Sequence, residues 1–207
     1  MKRHRTFTGG MPILEKGTRR AFTLVEMMVA VSIFAIVMLV GVGALLALVQ
    51  ANARAEAINS VMNNLNAALD SMSRTIRVGT TYHCETSPVP PLPATLAVPQ
   101  DCAGGGGKLL ALEGANGDPN NPNDQIVYRL NGTQLERSLA AGANGTFVAI
   151  TAPEVSIDKF EFYVVGAPRG DNLQPRVLMH IQGSAKVPGG TTIFTVQASV
   201  VQRLLDI

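Results

Sequence analysis

Charge is sparse in this 207-residue chain. Charged residues make up 15% of it, and none occurs from Met27 to Ala53. An uncharged run of that length is enough to cross a bilayer, which argues against an ordinary soluble cytosolic enzyme. Cysteine is nearly absent too. Cys84 and Cys102 are too few for a disulfide scaffold or a four-thiolate zinc site. They suffice for one bridge if the part that carries them lies outside the cytoplasm. The net charge of +2 hides a polarity. Lys2, Arg3, Arg5, Lys16, Arg19 and Arg20 stand against Glu15 in the first 21 residues, a net of +5, so the remainder carries −3. A nucleic-acid binder would need its positive charge on the folded part, and this chain does not put it there.

Proline is missing between Pro12 and Pro88, and within that gap residues 22–78 read as one helix. Beyond the charge-free run, Ile58, Val61, Met62, Leu65, Leu69, Met72 and Ile76 recur at spacings of three and four and form one apolar stripe. Asn63, Asn64, Asp70, Ser73 and Arg74 fall on other faces. The pattern predicts a single helix from Phe22 to Val78, roughly 85 Å long at 1.5 Å per residue. Its first half is apolar all round and its second half on one side only. From Gly79 onward the chain reads as β. Gln125–Leu130 and Thr133–Ser138 flank Asn131-Gly132, a strong hairpin signal. Val155–Val165, Arg176–Gln182 and Thr191–Val200 alternate as strands, with a bulge expected at Asp158-Lys159. Together these predict an α+β fold in which a long N-terminal helix lays its stripe on one small antiparallel sheet.

The segment Ser87–Lys108 holds Pro88, Pro90, Pro91, Pro93, Pro99 and the run Gly104–Gly107, and is expected to be irregular, with the glycines as a flexible connector. Cys84 and Cys102 bracket most of it. A bridge there would contribute roughly 3 kcal/mol by restricting the unfolded chain; two free thiols are the alternative.

The most informative stretch is Lys16 to Leu39, where a basic tail meets Ala-Phe-Thr-Leu-Val-Glu and then the apolar run. A carboxylate at the head of a membrane helix is costly and needs a partner. If the chain were cut before Phe22, the new α-amino group would lie four residues from Glu26, and on a neighbouring copy it could neutralise that acid. Phe22-Thr23-Leu24-Val25-Glu26 followed by about twenty apolar residues resembles the leader of type IV pilins and type II secretion pseudopilins. The resemblance implies cleavage by prepilin peptidase between Ala21 and Phe22, N-methylation of Phe22, and subunit docking through Glu26. The family usually has Gly before the cut, where this chain has Ala21. Leu65 to Arg77 is similar to the corresponding stretch of J-type minor pseudopilins and W-type minor pilins.

The resemblance implies a minor structural subunit and not an enzyme, with no cofactor. Its partners would be prepilin peptidase, other pilin or pseudopilin subunits, an inner-membrane assembly platform and, before assembly, membrane lipid. No direct binding of nucleic acid is expected. The expected organisation is a basic cytoplasmic leader (1–21), a long helix (22–78) spanning the inner membrane over about 27–49, and an exported β-rich domain (79–207). Six basic residues ahead of the apolar run predict that the N-terminus stays cytoplasmic. The competing class is a single-pass, membrane-anchored extracytoplasmic binding domain that does not polymerise, and Ala51-Asn52-Ala53 has the form of an ordinary secretory cleavage site.

Other motifs point less far. His4, His83 and His180 are scattered without a paired catalytic motif, and no phosphate loop occurs. Asp118 to Asp124 offers oxygen ligands that calcium could use, although Asx-rich turns explain it without metal, so no metal site is expected. Asn131-Gly-Thr133 and Asn144-Gly-Thr146 match the glycosylation acceptor pattern at positions where turns are also expected.

Overall fold

A computed structural model describes residues 21–102, 104–118, 120–153, 155–187 and 190–203. The basic leader, apart from Ala21, lies outside them. The long helix is α1, Leu24–Val78. It starts two residues later than the periodicity predicts because Thr23 acts as its cap: the Glu26 amide donates to the Thr23 hydroxyl at 3.2 Å, and the Met27 amide to the Thr23 carbonyl at 3.1 Å. Thr-x-x-Glu is the capping-box spacing.

Two compact units divide the chain, Met1–Ala47 and Leu48–Ile207. In the described part of the first, all side chains are exposed, Leu24 and Leu39 by more than three quarters. Among the described residues α1 is the one helix long and apolar enough to cross a membrane. In the second unit, α1 buries Val61, Leu65, Ala68, Leu69, Met72 and Ile76. The predicted stripe is therefore the buried face, with Ala68 added and with Ile58 and Met62 half-buried.

Among the described residues eight strands follow. β1 (Thr80–Glu85), β2 (Leu109–Glu113), β3 (Ile126–Asn131), β4 (Gln134–Ser138) and β5 (Val148–Ala149) form one antiparallel sheet in sequence order. β6 (Val155–Val165), β7 (Arg176–Val187) and β8 (Gly190–Val201) form a second. The single sheet expected from the sequence is thus two. Both supply the main core: Leu110, Leu112, Tyr128 and Leu135 from the first, and Ile157, Phe160, Phe162, Val164, Met179 and Ile181 from the second, join the helix stripe in one cluster. The sheets meet along the free edge of β6 without sharing a ladder. Backbone bonds reach β6 at Gly107, by an isolated antiparallel bridge to Phe162, at Cys102, whose amide donates to Val164, and at the Thr133 carbonyl, which accepts from the Ile157 amide at 2.9 Å. The ladder of β6 with β7 shifts register between Ile157 and Lys159, where the bulge was expected.

Two further details correct the sequence reading. In the β3–β4 hairpin Asn131 pairs with Gln134, so the loop is Gly132-Thr133 and not Asn131-Gly132. Gly132 has φ 59° while neither neighbour is left-handed, which is the pattern of a turn with glycine at its first central position. The proline-rich segment also contains regular structure: α2, Pro93–Leu96, is one helical turn whose Leu96 is fully buried on Leu109, Ala111, Val127 and Ala141, a second small core.

The C-terminal end of α1 must satisfy carbonyls that the helix itself cannot. The Gly79 amide reaches Thr75 (3.0 Å), the Arg203 amide reaches Arg77 (2.8 Å), and the buried Tyr82 hydroxyl reaches the Ile76 carbonyl at 2.6 Å. The substitution Tyr82→Phe is expected to cost about 1–2 kcal/mol. Circular dichroism of the detergent-solubilised chain should show melting lowered by about 3–6 °C.

Candidate functional site

The residues singled out by the sequence lie in two places. Ala21 and Phe22 precede α1, and Phe22 is about three quarters exposed. Glu26 is the acid of the first helical turn, where a negative charge is favoured by the helix dipole. Its amide is held by Thr23, so the carboxylate stands on a fixed turn. After it come Met27, Met28, Val29 and the exposed apolar surface of the first unit. The capping role of Thr23 was missed from the sequence, although Thr23-Leu24-Val25-Glu26 carries the signal openly.

The second place is the disulfide loop. Cys84 and Cys102 are bonded, with Cα atoms 5.6 Å apart. The segment between them is fastened at both ends. The Gln100 amide donates to Tyr82 (2.9 Å) and the Cys84 amide to Gln100 (3.0 Å). The Cys102 amide donates to Val164 (3.1 Å), and the Asp101 carboxylate accepts from the amides of Gly166 (3.1 Å) and Ala167 (2.8 Å). Gly107 exchanges backbone bonds with Phe162, and a Cβ on it would collide with the Cys84 sulfur. The last glycine of the Gly104–Gly107 run is therefore a contact point and not a flexible connector; only a residue without a side chain lets the backbone lie against the disulfide.

The remaining candidates fall to structural roles. His83 is buried, and its Nδ1 lies 2.7 Å from the Val98 carbonyl, which fixes the far side of the same loop. His180 faces Glu161 at 3.7 Å, and Glu161 is also bonded to Lys159 (2.9 Å) and Tyr163 (3.0 Å). The Lys159 ammonium holds the Glu161 carboxyl below the usual carboxylate range, burial opposing it. This group follows from strand register, Glu161 opposite His180, which spacing along the chain does not reveal.

In the Asp118–Asp124 stretch, Asp118 accepts from the Asn120 amide (3.0 Å), Asn121 from the Asn123 amide (3.1 Å), and Asp124 from the Asp118 amide (2.8 Å). The first two are Asx turns, and the third ties the two ends of the stretch together. Among the described residues no group of three His, Cys, Asp or Glu is placed to hold a metal ion.

Next to that stretch Glu113 is buried, and its carboxylate accepts from the Gln125 side-chain Nε2. Burial pushes its carboxyl above the usual range, the charges of Asp124 and Asp118 add to this, and the Gln125 bond opposes it. The native state then holds the proton more tightly than the unfolded chain, so stability falls as pH rises through the unfolded and then the native pKa. Glu113→Gln removes that loss. The variant should melt above the parent at neutral pH, and the difference should vanish below about pH 4.

A family model for the prokaryotic N-terminal methylation motif matches residues 16–42. The comparisons with curated proteins and with solved structures gave no match. The matched segment ends inside α1 and contains Phe22, Thr23 and Glu26. The methylation motif and the apolar helix that carries it support a type IV pilin-like family for this chain.

Proposed function

We infer that the chain is a minor pilin or pseudopilin, cut by prepilin peptidase between Ala21 and Phe22, methylated on Phe22 and assembled through α1 into a filament. The observation that carries this reading is the methylation motif at the foot of a helix whose N-terminal part is apolar and exposed, with a single acid, Glu26, in its first turn. An apolar surface of that extent needs lipid or protein around it. The helix first holds the subunit in the bilayer and then becomes filament core as neighbours replace lipid. Glu26 pairs with the Phe22 amine of the adjacent subunit during entry, since an unpaired carboxylate in that setting is costly. The second unit faces outward with its disulfide loop, in a compartment where thiols oxidise.

Mass spectrometry of the mature N-terminus tests the reading. Methyl-Phe22 is the expected result. A chain starting at Arg54 would mean an ordinary secretory cut, and an intact Met1 a membrane-anchored domain that never polymerises; either outcome overturns it. The position of Ala51-Asn52-Ala53 within unbroken α1 already disfavours the secretory cut.

A further inference from the structure

Below the core of the second unit, a cleft of about 570 Å³ lies between α1 and the second sheet. Its polar lining is hydroxyls and one amine: Ser60 from α1, Thr133 from the β3–β4 turn, Ser156 from β6, Ser184 and Lys186 from β7, and Thr191 from β8. None of the described residues lining it is acidic. One turn before Ala57, which also lines it, stands Arg54, whose guanidinium donates to the Thr192 hydroxyl at 3.2 Å. That bond fastens the β7–β8 end to the helix and leaves most of the five guanidinium donors unused. Lys186 pairs with Thr191 across the ladder, so the second cation belongs to the same end. Both cations are exposed. Glu56 is two positions from Arg54 and so points to another side of the helix.

Depth completes the argument. Arg54 is the first charge after the uncharged run. The run it closes is long enough to cross a bilayer. A chain anchored by that run has Arg54 where the uncharged stretch ends. The cleft opens within two further turns.

We propose that Arg54, Lys186 and the hydroxyls of this cleft bind the phosphate of an anionic phospholipid headgroup in the leaflet next to the domain. The inference rests on the membrane-anchored reading of α1. It gives the subunit a defined seat on the bilayer while it waits for assembly: headgroup phosphate accepts from the guanidinium, the ammonium and the serine and threonine hydroxyls. Leaving the membrane for a filament then requires breaking this contact.

The test uses the full chain in lipid nanodiscs of phosphatidylcholine alone or with one third phosphatidylglycerol. The readout is amide hydrogen exchange over Thr191–Thr195. Each cation near an anionic surface is worth about a fivefold preference. Exchange is expected to be several-fold slower with phosphatidylglycerol, the ratio to fall in Arg54→Gln and Lys186→Gln, and to reach one in the double variant. Arg54→Lys should restore most of it. The ratio matters because loss of the Thr192 bond alone would speed exchange equally in both lipids. Equal exchange of the parent chain in both lipids, or a ratio that survives in the double variant, overturns the proposal. So does protection reproduced by inorganic phosphate in phosphatidylcholine discs, which would mark a site for a free anion. A chain that does not enter discs overturns the membrane-anchored reading as well, and that failure is recognised before any exchange is measured.

Discussion

Glu26→Gln is expected to abolish incorporation into filaments while leaving insertion into the membrane intact. Breaking a buried ion pair by removing one charge costs about 3–5 kcal/mol, a factor of hundreds in the assembly equilibrium. The choice of glutamine matters because of Thr23. The bond to the Thr23 hydroxyl uses the backbone amide of residue 26 and not its carboxylate, so glutamine keeps the cap and removes only the charge. Thr23→Ala does the reverse: it costs about 1 kcal/mol of helix start and retains the acid. Quantifying sheared filaments by immunoblot should show near-total loss for the first variant and a modest decrease for the second. Equal loss in both would reduce Glu26 to a capping residue.

Removing the disulfide should have the largest effect on the second unit. Cys84→Ala with Cys102→Ala frees a loop with a sequence separation of 18, worth about 3 kcal/mol in the chain-entropy model. The expected fall in melting temperature is about 6–12 °C for a protein of this size. Alanine is preferable to serine at position 84 because that side chain is fully buried, and a hydroxyl without a partner would add its own penalty. Reductant applied to the parent chain should reproduce the shift. A loss of under about 1 kcal/mol would show that the backbone bonds at Gln100, Cys102 and Asp101 hold the loop unaided.

The helix was legible in the sequence because its signals are local. The charge gap, the missing proline and the three–four spacing of Val61, Leu65, Leu69, Met72 and Ile76 all act within a few turns. The alternation in β6, β7 and β8 was equally local, and Phe160, Phe162, Val164, Met179 and Ile181 went inside as it required. The number of sheets depended instead on which strand edges meet, a matter of hydrogen bonds between distant segments. β1 escaped notice because Tyr82, His83 and Cys84 are consecutively buried and break the alternation. β2 is buried on both faces, and a continuous apolar run cannot be assigned by period. The one-residue shift in the β3–β4 turn arose because Asn131-Gly132 and Gly132-Thr133 are both acceptable turn pairs. Of the assembly motif the chemistry was readable, and the cap beneath it was present in the same five residues.

The fastening at both ends of the disulfide loop also bears on how this protein can change over evolutionary time. Everything from Thr86 to Pro99 lies between fixed points, and within it only Leu96 is fully buried. Extending a loop whose ends are already held costs about 0.6 kcal/mol for each doubling of length. The domain therefore offers a socket for interchangeable inserts. Provided one apolar side chain still plugs the position of Leu96, new sequences can be displayed there without repacking the molecule that carries them.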